Sequence, residues 1–299
     1  MSSIRQILAL IDDDPRCDAV LALGARLASA HGAGLSAMHV VRTLTSGVAA
    51  YLSPGTSGLA IDYTARADDE RRQLAATRVA AAAERHGLEI PFASAAADPL
   101  DAALTAARHS DLVLLAKQVT GDGQLPGFAG SLLVGAGTPL LFVPAVDALP
   151  AEADGGPRCG QRVLVAWAPT RESARALRDA LPLLAAAQAV ELVRLADGAD
   201  PAGPEPLEAV RDYLRRHDIE ARVRVIPRGS GPAPGGILPG AGWTPDVPVA
   251  EALLSHAADS GADLIVMGGY GHARLLQLAL GGVTRTILKS MTVPVLMSH

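Results

Sequence analysis

The chain is predicted to be an α/β protein made of two doubly wound parallel-sheet domains, each a three-layer α/β/α arrangement. Three observations predict this. Short apolar runs bounded by turn residues alternate with alanine-rich helical stretches, as expected of strands covered by helices on both faces. That alternation is written twice along 299 residues, enough chain for two ordinary domains. Near the end, the stretch GGYGHARLLQLALGG places glycines at 268, 271 and 281 directly after the apolar run Leu264–Met267.

Taken in order, IRQILALIDDDPRCDAVLALGARLASAHG predicts strand, loop and helix, and GQRVLVAWAPTRESARALRDALPLLAAAQ repeats them. GLSAMHVV and AVELVRLAD follow as second strands, then DERRQLAATRVAAAAERHG and PEPLEAVRDYLRRHD as helices, the first closed by Gly87. EIPFASAA and EARVRVIP are third strands. DPLDAALTAARHSDLVLLA then parallels PVAEALLSHAADSGADLIVMG, a helix and a buried fourth strand, with Asp98 at the N-cap and Pro99 at the first helical position. Each half ends in a short strand, TPLLFVP and VPVLMSH. The domain limits read as 1–146 and 161–299, joined through the Pro-, Gly- and acid-rich AVDALPAEADGGPRCG. The Gly- and Pro-laden stretch 228–246 reads as a surface insertion, with a lid containing Trp243 as its functional alternative.

Composition narrows the function. Basic and acidic residues number 26 and 31 and the arginines are scattered over helices, which argues against a nucleic-acid stripe. No segment approaches the roughly 20 apolar residues of a membrane span. The apolar run Ile7–Ile11 is stopped by Asp12, Asp13 and Asp14, so it reads as a strand and no signal peptide. Cys17 and Cys159 lie far apart without CxxC spacing and read as free thiols in a reducing compartment, by default the cytoplasm. The eight histidines lack metal-ligand spacing, and there is no G-x-S-x-G elbow, HExxH or Walker lysine. No catalytic machinery is legible.

The glycine junction points to an anion. It lies between a strand end and a helix predicted over 283–289. The first N–H groups of a helix have no partner inside it and its dipole favours negative charge, so backbone alone can hold a phosphate. The same residues also admit a plainer reading, a tight strand-to-loop turn. Asp12, Asp13 and Asp14 likewise read first as caps for the following helix. His272 reads first as solvated, with a contact to phosphate as its alternative, and the leucines at 275, 276, 278 and 280 read as packing residues.

Gly268, two residues, Gly271, nine residues and Gly281, with GGVTRTILKSMTVPVLMSH behind them, resemble the universal stress protein family, and the order of elements resembles it twice. The resemblance implies a tandem member with a Rossmann-like, adenine-nucleotide-hydrolase-like fold. It implies ATP or another adenine nucleotide, with or without magnesium, as a regulatory ligand of the second domain. Gly268, Gly271, Gly281, Gly282, Val283 and Thr284 would form the phosphate cradle. Gly282 stands where the family carries a hydroxyl residue, and Thr284 is the replacement hydroxyl within reach of sequence. Ala168 stands where the family places its adenine-contacting aspartate. In the first half Asp12 takes that position and Val40 lies at the adenine edge. There Ala116, Val119 and Pro126 replace the glycines, so no nucleotide is expected. Two rivals share the fold: an interaction module without nucleotide, and a slow ATPase or phosphotransfer enzyme. The terminal strands Leu140–Val143 and Val295–Met297 are expected to pair with each other or, in a homodimer, with another chain. The protein partner and the stress concerned are not legible.

Overall fold

The computed structural model describes residues 3–12, 14–40, 57–95, 98–117, 127–144, 149, 156–196, 207–227, 246–269 and 282–299. The chain divides into two compact units, one spanning Ile4–Ala116 and the other containing Lys117–His299.

The first unit runs β1 (Gln6–Ile11), α1 (Cys17–His31), β2 (Gly34–His39), α2 (Ser57–His86), β3 (Phe92–Ser94), α3 (Pro99–Ala107) and β4 (Leu112–Ala116). Its strands are parallel, in the order β3-β2-β1-β4. Strand β1 is central, with Ala9 in register with Ala37 on one side and Leu114 on the other. Ile7 to Ile11 are therefore all buried, which explains an unbroken apolar run in place of alternation. The expected caps are present. Asp98 accepts from the N–H groups of Leu100 and Asp101, with Pro99 opening α3, and Gly87 ends α2 at φ 63°. Helix α2 begins earlier than the stretch from Asp69 predicted, at Ser57, because no proline after it interrupts the run.

The second unit runs α4 (Gly127–Gly135), β5 (Leu140–Val143), β6 (Arg162–Ala166), α5 (Arg171–Asp179), α6 (Leu181–Ala186), β7 (Ala189–Ala196), α7 (Leu207–Arg215), β8 (Ala221–Pro227), α8 (Asp246–Ser260), β9 (Leu264–Gly268), α9 (Gly282–Ser290) and β10 (Val295–Ser298). The strand order is β5-β10-β9-β6-β7-β8. β5 and β10 pair antiparallel, Leu141 facing Leu296, so the two terminal strands do cover each other; the remaining pairs are parallel. The single helix expected after β6 is two helices. Pro182, near the start of α6, lacks an N–H and cannot continue the ladder of α5.

A repeated hydrogen-bond device links the two units' sequences. Asp111, just before β4, accepts from the backbone N–H groups of Arg5 and Gln6 at 2.7 and 2.9 Å and donates its own N–H to the Gln6 carbonyl. Asp263, just before β9, accepts from Gly160 and Arg162 at 2.9 and 3.0 Å and donates to the Arg162 carbonyl. In each case a carboxylate satisfies the donors that enter the central strand, which would otherwise be unpaired. Asp263 is fully buried and ion-paired with Arg158 at 2.9 Å. Burial pushes its carboxyl above the ordinary range despite these partners. The last residues of the sequence-predicted linker, Gly156–Gly160, are thus anchored at Gly160, while residues 150–155 lie outside the described ones.

Candidate functional site

In the second unit β6, β7 and β8 step one way across the sheet, while β9 and β10 lie on the other side of β6. The order reverses between β6 and β9, and in open parallel sheets the crevice beyond the strand ends at that reversal is where ligands bind. Two stretches reach it here, Trp167–Ala168 after β6 and Gly268–Gly269 at the end of β9.

Gly268 is shaped by packing. A Cβ built there would lie 2.6 Å from the Ser173 nitrogen and 2.7 Å from the Glu172 carbonyl carbon, so the first turn of α5 rests directly on the strand end. These are backbone atoms and cannot swing aside. Gly269 donates its N–H to the Ser298 carbonyl at 2.8 Å, tying the strand end to β10. Gly271 and Gly281 lie outside the described residues, as do Tyr270 and His272. Gly282, Val283 and Thr284 form the opening turn of α9, which carries no acidic residue. Gly282 and Val283 are half-buried and Thr284 is buried.

Around this end the charge is arranged by α5. Thr170 caps it by accepting from the Ser173 N–H at 3.2 Å. Glu172 is buried beside Gly268 and ion-paired with Arg171. Burial alone would raise the Glu172 carboxyl, but hydrogen bonds from Arg171, from its own N–H and from Thr170, with the Arg171 charge, outweigh it and hold the group below the ordinary carboxylate range. Ala168 offers no side-chain acceptor. Its neighbour Trp167 is 9% exposed, and its indole N–H has no hydrogen-bond partner among the described residues. Sequence reasoning passed over Trp167 and Glu172: the one continues an apolar strand, the other looks like any first-turn acid of a helix.

The matching reversal in the first unit lies between β1 and β4. Asp12, at the end of β1, accepts from the Asp14 N–H at 3.0 Å and the Cys17 thiol at 3.0 Å. Asp14 accepts from the backbone and the side chain of Arg16. The expectation that the aspartates cap α1 is corrected for Asp12 and Asp14: Arg16 is the N-cap residue and makes no side-chain cap bond, and the two carboxylates fold the loop ahead of it, while Asp13 lies outside the described residues. Burial, with Asp12 next, raises the Cys17 thiol far above its ordinary value, so it stays protonated. Val40 is buried, and its N–H donates to the Ile11 carbonyl. Val119 and Pro126 lie outside the described residues. Among the described residues no His, Cys, Asp or Glu cluster is suited to a metal ion, and no helix is long and apolar enough to cross a membrane.

Comparison with known proteins agrees with this architecture. A solved universal stress protein from Archaeoglobus fulgidus DSM 4304 superposes with a TM-score of 0.63 at 17% identity, covering 97% of each chain. The functionally unknown protein PA1789 from Pseudomonas aeruginosa PAO1 gives 0.56 at 13% identity over 98% of this chain and 92% of its own. At such identities the likeness establishes the fold. Universal stress protein Slr1230 from Synechocystis sp. is 37% identical over 46 residues, a match that spans 15% of this chain and 16% of that protein. The model of the universal stress protein family matches residues 3–136 and 243–299, stretches drawn from both copies of the repeated pattern. The chain belongs to the universal stress protein family.

Proposed function

We propose that the chain is a tandem universal stress protein, with repeats 1–146 and 161–299, that binds ATP or another adenine nucleotide in the second repeat as a regulatory ligand. The observation that carries the reading is the opening turn of α9, Gly282–Thr284, which starts on a glycine, contains no acidic side chain and follows the strand at the order reversal. Backbone N–H groups there suit phosphate, with Gly271, Gly281, Gly282 and Val283 as the contact residues and Thr284, buried, as a minor contributor. Magnesium would travel with the phosphates. Gly268 serves the same site indirectly, by seating α5 against the strand. The adenine would lie without a carboxylate partner, and the indole N–H of Trp167, just after β6, is a buried donor without a partner among the described residues that could bond a ring nitrogen. In the first repeat Asp12 already serves the loop and the glycines are absent, so that repeat is assigned no nucleotide. Two thiols suit a reducing compartment such as the cytoplasm.

A second reading, an interaction module without nucleotide, is favoured by Ala168 and by the Glu172 carboxylate buried beside Gly268. Small molecules released by denaturing freshly purified protein separate the two. Adenine nucleotide released from the parent and absent from Gly281→Val supports binding. Nothing released, with no uptake at millimolar ATP, favours the module.

A further inference from the structure

The outer face of α5 carries Arg171, Arg175 and Arg178, spaced four and three residues apart and hence on one side of the helix. With Asp179 and His299 they line a groove of about 560 Å³. This is in the size range of small-ligand sites, a few hundred to about 1,000 Å³.

The guanidinium groups are held rather than loose. Arg171 is paired with Glu172 and donates to His299 Nε2 at 3.2 Å. Because arginine has no acceptor, His299 must accept there and carry its hydrogen on Nδ1, which donates to the Gly269 carbonyl at 3.2 Å. Arg175 donates to the Gly137 carbonyl and lies 3.6 Å from Asp179. Arg178 donates through Nε to the Ala174 carbonyl at 3.0 Å. Each guanidinium spends one or two of its five N–H donors on these anchors and keeps the rest for the groove. Arg171 and Arg175 have Glu172 and Asp179 as ion partners, and Arg178 has no ion pair among the described residues.

We infer that this groove is a second anion site, built on the side chains of α5 and not on the glycines of the cradle, for a small molecule bearing two or more linked phosphates. Arginine forks match phosphate oxygens in pairs, and anchoring them beforehand removes much of the ordering cost of binding. From Arg171 to Arg178 the helix rises about 10 Å, a span that suits a chain of phosphates better than a single one. Nucleic acid suits it less well, because the net charge of −5 repels a polyanion at long range.

The probe is inorganic triphosphate, which has no adenine, titrated into the full chain by calorimetry. Binding is expected in the parent and in Gly281→Val, about tenfold or more weaker in Arg178→Glu, and progressively weaker as salt rises. Among the described residues Arg178 bonds its own helix's Ala174 carbonyl and no other group, so an unchanged melting temperature verifies that the fold of Arg178→Glu is intact. Arg175→Lys, which keeps the charge and loses the fork, is expected to weaken binding by a smaller factor. No binding in the parent at millimolar triphosphate, or equal binding in Arg178→Glu, overturns the inference. Loss in Gly281→Val with Arg178→Glu unaffected assigns the anion to the glycine cradle and overturns it too. ATP uptake that depends on Gly281 alone leaves the nucleotide reading standing while the groove fails, so the two outcomes are distinguishable.

Discussion

Gly268 is a glycine because the first turn of α5 occupies the space of its side chain, with a backbone nitrogen 2.6 Å from the Cβ position. Gly268→Ala is therefore expected to destabilise the fold by about 1–3 kcal/mol in urea unfolding without nucleotide present, since overpacking against backbone has no cheap relief. An alanine variant as stable as the parent would return this glycine to the ligand. Glu172 gives a second residue-scale expectation. Its folded-state carboxyl is held below its unfolded value, so its stabilising contribution is complete above the ordinary glutamate pKa, about 4.3, and disappears as pH falls through the folded value. Glu172→Gln lacks this titration. The stability gap between parent and variant should shrink on acidification below about pH 4 and stay level above about pH 5. A gap that widened in acid would contradict the assigned ion pair.

At the scale of elements, what was legible in sequence depended on how local its cause was. Strands buried on both faces announced themselves as unbroken apolar runs, Ile7–Ile11 and Leu264–Met267, and caps such as Asp98 and Gly87 needed only their neighbours. The break between α5 and α6 was written in Pro182. The reason for Gly268 was not legible, because the atoms that exclude a Cβ belong to a helix nearly a hundred residues earlier. The same holds for Asp12, whose carboxylate is engaged by Asp14 and Cys17 in a loop geometry that no spacing rule predicts. The pairing of β5 with β10 was expected from two short apolar terminal strands, and it places β10 between β5 and β9. A proline in an interior strand removes a ladder donor and clashes with the neighbour, so Leu296→Pro should cost about 3 kcal/mol or more in urea unfolding. Stability within experimental error of the parent would mean that β10 is not an interior strand.

At the scale of the whole molecule, the repeat is visible both as a pattern of elements and as the twin aspartates Asp111 and Asp263 that bind the entering backbone of β1 and β6. The two copies have diverged in their chemistry. The first keeps the acid at its strand end and spends it on its own loop, while the second keeps the glycines and lacks the acid. Limited proteolysis should cut first within 146–155 and 228–245, sequences too rich in proline and glycine to hold many buried contacts, and should spare Gly156–Gly160, which Asp263 anchors. Protection of 228–245 that is lost when ligand is stripped would instead make Trp243 part of a lid. The central claim, one nucleotide per chain and in the second repeat, is tested most directly by calorimetric titration of ATP into the parent, Gly281→Val and Asp12→Ala. The account predicts a single site per chain, absent in Gly281→Val and unchanged in Asp12→Ala. Two sites per chain, or binding that survives the valine and disappears with Asp12→Ala, would contradict it.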